Sequence, residues 1–278
     1  MDNFSDKVAI ITGAASGIGR ATAISLAREG TYIVAADINA AGVSDVVSEL
    51  GKDKAIAVQC DIGDTNAFSQ LRDAALKQFG RVDIIMNNAG ILTSCLPLET
   101  TIEEWQRVFD LNFMSIVRSN AVFLPLLIDQ GAGHIVNTAS FAGLYTYSFD
   151  RLPYAAAKAG LIQYSEGLAL YLKPQGIGVT CLCPGPVKTN IVNSVKQFPE
   201  GLDVRGPGEQ FELLDPAVVG DQVVDAIQND IFMLVTHPQV KPLLVHRATD
   251  WDGFLQQQID SPHIALTAEM LKNMNQGT

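Results

Sequence analysis

The chain has 278 residues, a formal net charge of -11 and a sequence pI near 4.7, a balance that disfavours attraction to nucleic acid or anionic membrane and points to small-molecule chemistry. Hydrophobic residues at 47% and charged residues at 18% exclude a mostly disordered chain, and this length can bury one large core, so one domain is expected. The opening Met-Asp-Asn-Phe-Ser-Asp lacks the basic and apolar regions of a secretion signal, and no apolar run reads as long enough to span a bilayer, so a reducing, cytoplasmic setting is expected.

The apolar run 8–11 predicts a first strand, and Thr12 to Gly19 then forms a glycine loop opening a helix over 17–30. Strands are expected at 32–36, 55–60, 82–86, 134–138, 179–183 and 231–235, with helices at 40–50, 65–79, 102–128, 154–172 and 216–228. Strict alternation of short apolar strands with helices predicts an α/β fold: a doubly wound, seven-stranded parallel sheet with helices on both faces. Ligands of such sheets sit beyond the carboxyl ends of the strands, where Asp37, Asp61, Asn87-Asn88-Ala89-Gly90, Ser140 and Pro184-Gly185 all fall. The long irregular stretch 185–215 reads as a substrate loop or a locally helical insertion. Cys60, Cys95, Cys181 and Cys183 contain no C-x-x-C pair and no His cluster has zinc-ligand spacing, so no metal is expected; Cys181 and Cys183 read as buried thiols on one strand face.

Gly13, Gly17 and Gly19 allow a tight turn and close backbone approach where the N-terminus of the next helix presents free N–H groups, which suits a pyrophosphate, although a tight turn alone would use the same glycines. Asp37 can accept both ribose hydroxyls of an adenosine and repel a further phosphate; neither Ser16 nor Ile38 offers a cation, so NAD is favoured. Asp37 could equally cap the helix beginning at Ala40, and Asp61, placed for an adenine ring, could equally make a local turn before Gly63. Tyr154 and Lys158 stand four apart on a helix that follows Pro153, so they share a face, and an ammonium beside a phenol stabilises phenolate. In isolation such a pair is common on solvated helices.

Together, Thr12 to Gly19, Asn87-Asn88-Ala89-Gly90, Asn112, Ser140, Tyr154-x-x-x-Lys158 and Pro184-Gly185-Pro186-Val187-Lys188-Thr189 resemble the short-chain dehydrogenase/reductase family in order and spacing, over roughly residues 5–238. The resemblance implies a Rossmann-type domain and NAD(P)-dependent interconversion of an alcohol and a carbonyl. It implies Tyr154 as acid/base, Lys158 on the nicotinamide ribose, Ser140 on the substrate oxygen, and Asn112 holding a water on the proton path. Cofactor contacts would run along Gly13, Ser16, Gly17, Ile18, Gly19, Asp37, Ile38, Asp61, Ile62, Asn88, Ala89 and Gly90. They would continue through Tyr154, Lys158, Pro184, Gly185, Val187 and Thr189. Ser140 and Tyr154 stand one residue further apart than is usual in that family, so the segment 141–153 is expected to bulge.

The substrate pocket is expected to draw on Leu92, Ser140, Phe141, Tyr145 and Tyr154, with further apolar groups at Ile91, Cys95, Leu96, Tyr147 and Phe149. The loop would add Ile191, Val192, Phe198, Phe211, Leu213 and Leu214. This lining suits a bulky, weakly polar secondary alcohol or ketone and offers few fixed cations for a carboxylate or phosphate; Arg151 could be the exception, although an exposed loop arginine is more often solvated. Residues 239–278 form a C-terminal extension whose apolar groups Leu243, Leu244, Trp251, Phe254, Leu255 and Ile259 recur at helical spacing. A further short helix over 264–274 is expected after Pro262, and the extension is expected to pack on the domain or a neighbouring subunit. The family resemblance also implies a homo-oligomer, tetramer or dimer, built on the helices at 102–128 and 154–172. Other readings are a sugar-nucleotide epimerase or dehydratase, which the glycine spacing argues against, and a non-catalytic nucleotide sensor, which would not need the intact Tyr154 and Lys158.

Overall fold

The computed structural model describes Met1, residues 3–191, the backbone of 196–198, and residues 206–261. Seven strands make one parallel sheet: β1 (Val8–Thr12), β2 (Tyr32–Asp37), β3 (Ala55–Gln59), β4 (Ile84–Asn87), β6 (Gly133–Thr138), β7 (Ile177–Cys183) and β9 (Met233–Val235), in the order β3-β2-β1-β4-β6-β7-β9. Each expected strand is present, with ends shifted by no more than a few residues. β1 pairs on one side with β2, Ile10 opposite Val34, and on the other with β4, Ile10 opposite Ile85. The winding therefore reverses between β1 and β4, and the crossovers leave in opposite directions there, opening a crevice at the carboxyl ends.

Both faces are covered. On one, α1 (Gly17–Arg28), α2 (Ala40–Leu50) and α8 (Pro216–Gln228) bury Leu26, Val43, Val46, Val219, Val223 and Ile227 against Ile11, Ile33 and Met86. On the other, α3 (Ala67–Phe79), α5 (Ser115–Gln130) and α7 (Leu152–Leu172) bury Phe68, Leu71, Phe123, Leu127, Leu168 and Leu172 against Ile10, Val34 and Ile135. Side chains of this size each contribute roughly 1.5–3 kcal/mol on leaving water. The row Leu161, Ser165, Leu168 and Leu172 on α7 is buried against the chain's own sheet rather than turned outward.

Several features depart from the sequence expectation. The helix expected over 102–128 is α4 (Ile102–Phe109) and α5 joined by a π-turn, Asp110–Met114. Together these 29 residues are long and apolar enough, on length and composition, to cross a bilayer, which corrects the expectation that no segment is; here Phe123 and Leu127 anchor the helix to the sheet. A second, two-stranded parallel sheet pairs β5 (Thr93–Cys95) with β8 (Lys196–Phe198), strands too short to leave a pattern. The short helix α6 (Phe141–Leu144) accommodates part of the expected bulge before α7. The C-terminal extension continues after β9 as α9 (Lys241–Thr249) and α10 (Trp251–Ile259), where Val240 and Phe254 join a cluster with Phe141, Tyr145 and Phe211. Val192, the Phe198 side chain and the helix expected over 264–274 lie outside the described residues.

Burial of His134 on β6 carries a measurable consequence. Thr180 Oγ1 donates to the Ile231 carbonyl at 2.8 Å and so accepts from His134 Nε2 at 2.8 Å, which fixes a proton on Nε2. Burial lowers its pKa from 6.5 to about 4. The unfolded chain therefore takes up the proton first as pH falls, and stability contributed by neutral His134 is lost between about pH 6.5 and 4. Urea unfolding across that window is expected to show a stability loss of order 3 kcal/mol that is absent in His134→Gln; equal pH slopes for the two proteins would contradict it.

Candidate active site

The crevice at the switch point is a cleft of about 800 Å³. Its floor is set by a polar clamp. Thr12 Oγ1 accepts from Asn88 N and Ala89 N at 3.0 and 3.1 Å and donates to the Met86 carbonyl at 3.3 Å. The Asn88 amide donates back to the Thr12 carbonyl at 3.0 Å, while its oxygen accepts from Thr138 Oγ1 at 3.4 Å. The ends of β1, β4 and β6 are thereby tied together just where the sheet's crossovers part.

The glycine loop fits a phosphate cradle. Gly17 has φ +54 and lies against Thr189, where a Cβ would come within 2.9 Å of the threonine methyl; a Cβ on Gly19 would fall 2.3 Å from the Gly13 carbonyl oxygen. Gly13, Ser16, Gly17 and Ile18 border the cleft, while Gly19 stands behind the loop. Asp37, Ile38, Asp61 and Ile62 line its far end. Asp37 does not cap α2, a role taken by Asn39, whose side chain accepts from Gly42 N at 3.1 Å. Instead, Asp37 Oδ2 accepts from Ala15 N in the glycine loop at 3.1 Å and Oδ1 from Asn39 N at 2.9 Å. Asp61 makes the local turn, accepting from Gly63 N at 2.8 Å, and also borders the cleft. Asn88, Ala89 and Gly90 lie along the middle, with Pro184, Gly185, Val187 and Thr189 beyond them. A groove with a glycine-loop helix N-terminus and an acidic far end has the shape and donors for a dinucleotide.

The reacting end is built on α7. A buried ladder, Asn87 to Asn137 at 2.9 Å and Asn137 to Ser165 at 3.0 Å, fastens that helix to β4 and β6. Tyr154 and Lys158 are both buried and line the cleft with Ser140. Lys158 Nζ donates to the Thr138 carbonyl at 2.6 Å and lies 5.8 Å from the Tyr154 ring centre. Burial pushes the Tyr154 phenol up to about 12, partly opposed by the Ser140 hydroxyl and the Arg151 cation; the lowering expected from Lys158 is not among the causes, and the opposing charge comes from Arg151 instead. Burial likewise lowers Lys158 to about 8. Asn112 sits in the π-turn, a distortion that lets its side chain clamp a neighbouring loop: Oδ1 accepts from Ile91 N and Nδ2 donates to the Ile91 carbonyl, both at 2.9 Å.

Leu92, Phe141, Ile91, Ile191 and Leu213 form an apolar wall, as expected. Tyr145, expected on the pocket, turns instead into the cluster beneath α9 and α10, edge-on to Phe254 and tilted against Tyr147. Cys95, the last residue of β5, is buried away from the cleft, and Phe211 packs on Phe141 rather than on the cleft. Thr138 and Asn190, not singled out from the sequence, and Pro186, named only within the motif 184–189, also border the cleft; position at or beyond a strand's carboxyl end was the available signal. Arg151, read as solvated, is buried.

A family model for short chain dehydrogenases matches residues 7–200. The chain is 34% identical over 194 residues to the meso-2,3-butanediol dehydrogenase of Serratia marcescens, covering 70% of this chain and 76% of that one. It is also 34% identical over 237 residues to the probable oxidoreductase EphD of Mycobacterium tuberculosis, 81% of this chain but only 40% of that longer protein. A short-chain dehydrogenase/reductase from Burkholderia phymatum in complex with NAD superposes with a TM-score of 0.81 at 32% identity, over 91% of this chain and 96% of that one. The 3-ketoacyl-(acyl-carrier-protein) reductase of Brucella melitensis complexed with NADH gives 0.74 at 27% identity, over 84% and 98%.

Because folding lowers Lys158 from 10.5 to about 8, the unfolded chain binds more protons between these values and stability rises with pH across that window. Relative to Lys158→Met, the wild-type unfolding free energy is expected to climb by about 1 kcal/mol per unit from about pH 8 to 10. A constant difference would show that the ammonium is not held at a cost in the folded chain.

Proposed function

We propose that this chain, which belongs to the short-chain dehydrogenase family, is an NAD-dependent oxidoreductase that interconverts a bulky, weakly polar secondary alcohol and its ketone. The observation that carries this reading is the convergence of Tyr154, Ser140 and Lys158 at one end of a cleft whose other end holds the glycine loop and Asp37. The bound dinucleotide would supply or accept the hydride. Tyr154 would exchange the proton of the substrate oxygen, and Ser140 would orient that oxygen by hydrogen bonding. Lys158, fixed on the Thr138 carbonyl, would hold ribose hydroxyls. Asn112, by clamping Ile91, holds the strand-end loop bordering both reacting groups. Asp37, already oriented by Ala15 and Asn39, supports NAD over NADP, since a 2′-phosphate there would meet a carboxylate with no cation in place.

The same reading includes a homo-oligomer on the outer surfaces of α5 and α7, where Leu170 and Tyr171 are exposed, and a reducing compartment suited to buried free thiols at Cys60, Cys95, Cys181 and Cys183. The extension α9–α10 would back the substrate wall through Phe254 and Val240.

Cofactor choice is tested by kcat/KM with each dinucleotide: NAD should be preferred at least about tenfold, or ~1.4 kcal/mol, and Asp37→Ser should shrink that margin. Equal use of both by the wild type would refute the assignment of Asp37. For the acid/base, Tyr154→Phe should lose about 10²-fold or more in kcat while its melting temperature stays close to wild type. Near-normal turnover in that variant would place the proton transfer elsewhere.

A further inference from the structure

An ion pair in the cleft wall has no part in the roles above. Asp150 and Arg151, immediately before α7, are 2% and 5% exposed. Arg151 Nε donates to Asp150 Oδ1 at 2.8 Å and Nη2 to Oδ2 at 3.2 Å, and the guanidinium also hydrogen-bonds the Tyr147 phenol, so only the donors left over by Asp150 and Tyr147 face the cleft. Asp150 is itself fixed from several directions: it accepts from Ser148 and, at 3.0 Å, from Ser94 on β5, and its carbonyl accepts from Cys95 N. The guanidinium carbon lies 5.3 Å from the centre of the Tyr147 ring, and Arg151, Tyr147 and Tyr154 all border the cleft beside Leu92 and Ile191.

A buried ion pair is a poor way to stabilise a fold, since apolar residues of similar volume usually serve as well. Here it interrupts an otherwise apolar wall next to the acid/base, with the carboxylate holding the guanidinium still from behind. Such a cation can donate to a substrate oxygen, and the Asp150 carboxylate decides which kind. A substrate carboxylate on Arg151 would bring two buried anions onto one cation, an arrangement opposed by repulsion and desolvation. A neutral carbonyl or hydroxyl oxygen accepts a charge-assisted hydrogen bond without that penalty.

We propose that Arg151, anchored by Asp150, is a specificity-determining residue that donates to a second, uncharged oxygen of the substrate, so that dicarbonyl and hydroxyketone compounds are preferred over simple ketones and over keto acids. This rests on the oxidoreductase reading given above. It accounts for the residues between Ser140 and Tyr154: the segment places Arg151 on the pocket wall, tied to β5 through Ser94. Arg151 also favours the phenolate form of Tyr154, so its loss would slow every substrate to some degree. Discrimination between substrates, not rate alone, is therefore the measure.

The test follows NADH oxidation with acetyl benzoyl, phenylacetone and phenylpyruvate, which share a phenyl group on a three-carbon chain and differ in the oxygen beside the reacting carbonyl. A diketone is intrinsically more electrophilic, so the readout is the change in the ratio of kcat/KM on substitution. Arg151→Met should lower the ratio of acetyl benzoyl to phenylacetone by about tenfold or more. Because that variant strands Asp150, the double variant Asp150→Asn with Arg151→Gln, which exchanges the ion pair for a neutral one, is measured beside it, with melting temperature and NADH affinity as controls. In the wild type, phenylpyruvate should be used less well than acetyl benzoyl. A ratio unchanged in both variants, or phenylpyruvate preferred by the wild type, overturns the proposal while leaving the oxidoreductase reading in place. NADH binding without turnover of any of the three compounds would sink both together.

Discussion

The mutual hydrogen bonding of Thr12 and Asn88 is the constraint on which the site depends. At a switch point the chain must leave adjacent parallel strands in opposite directions, and their terminal backbone groups lose their sheet partners. Here side chains replace that pairing: Thr12 receives the N–H groups of Asn88 and Ala89, and Asn88 returns its amide to the Thr12 carbonyl. Thr138 joins through its hydroxyl while its carbonyl receives Lys158. One small network thus sets the glycine loop, the Ala89-Gly90 segment and Lys158 in a common frame. A side chain added at Gly13 or Gly19 would meet the Asn88 amide at 2.7 Å, so the loop glycines and the clamp require each other.

Within that frame burial opposes charge. Tyr154 is driven towards its neutral phenol and Lys158 towards its neutral amine, and the chain's own counterweights on the phenol are the Ser140 hydroxyl and the Arg151 guanidinium. A site so arranged keeps its acid protonated until a further favourable charge or hydrogen bond arrives with a ligand, which couples proton transfer to occupancy of the cleft. Asp150 keeps Arg151 charged: burial alone would raise the carboxyl, but the guanidinium with the Ser148 and Ser94 hydroxyls holds it below the usual range.

The sequence made the nucleotide half of the site legible and much of the other half opaque, for physical reasons. Strands β1, β2 and β4 are short apolar runs buried on both sides, and the groups that face the cleft follow directly at their carboxyl ends, so position along the chain predicts position in space. The π-turn at Asn112 is one widened turn inside an otherwise continuous helical stretch, and no Gly or Pro within it announces it. β5 and β8 are three-residue strands paired across about a hundred positions, below the length at which alternation can be read. Arg151 looks solvated because its neighbour Asp150, which holds it, is itself tied from a distance by Ser94, and Tyr145 looks available for substrate because Val240 and Phe254, which cover it, come from the far end of the chain.

The rim of the substrate wall shows why these two halves differ in kind. Past β9, His237 Nε2 lies 2.8 Å from the Glu212 carbonyl and must donate to it, so in the neutral ring Nδ1 accepts from Thr236 Oγ1, also at 2.8 Å. That hydroxyl in turn accepts from Gly185 N at 2.9 Å. The imidazole thus joins the segment entering the irregular loop to the segment leaving it, with Phe141 and Phe211 set edge-on against the ring at 5.7 and 5.8 Å. The backbone returns the same way, Lys188 N to the Leu214 carbonyl at 2.9 Å and Leu214 N to the Pro186 carbonyl at 3.1 Å. The glycine-loop end is fixed by Thr12, Asn88 and Thr138 at the ends of adjacent sheet strands, whereas the other end is fixed by contacts among residues 141, 185, 212, 237 and 254, which lie in segments outside the sheet. Substitutions in the extension can therefore reshape that wall of the cleft while the glycine loop and Asp37 stay as they are, and the glycine-loop half is the more legible from sequence.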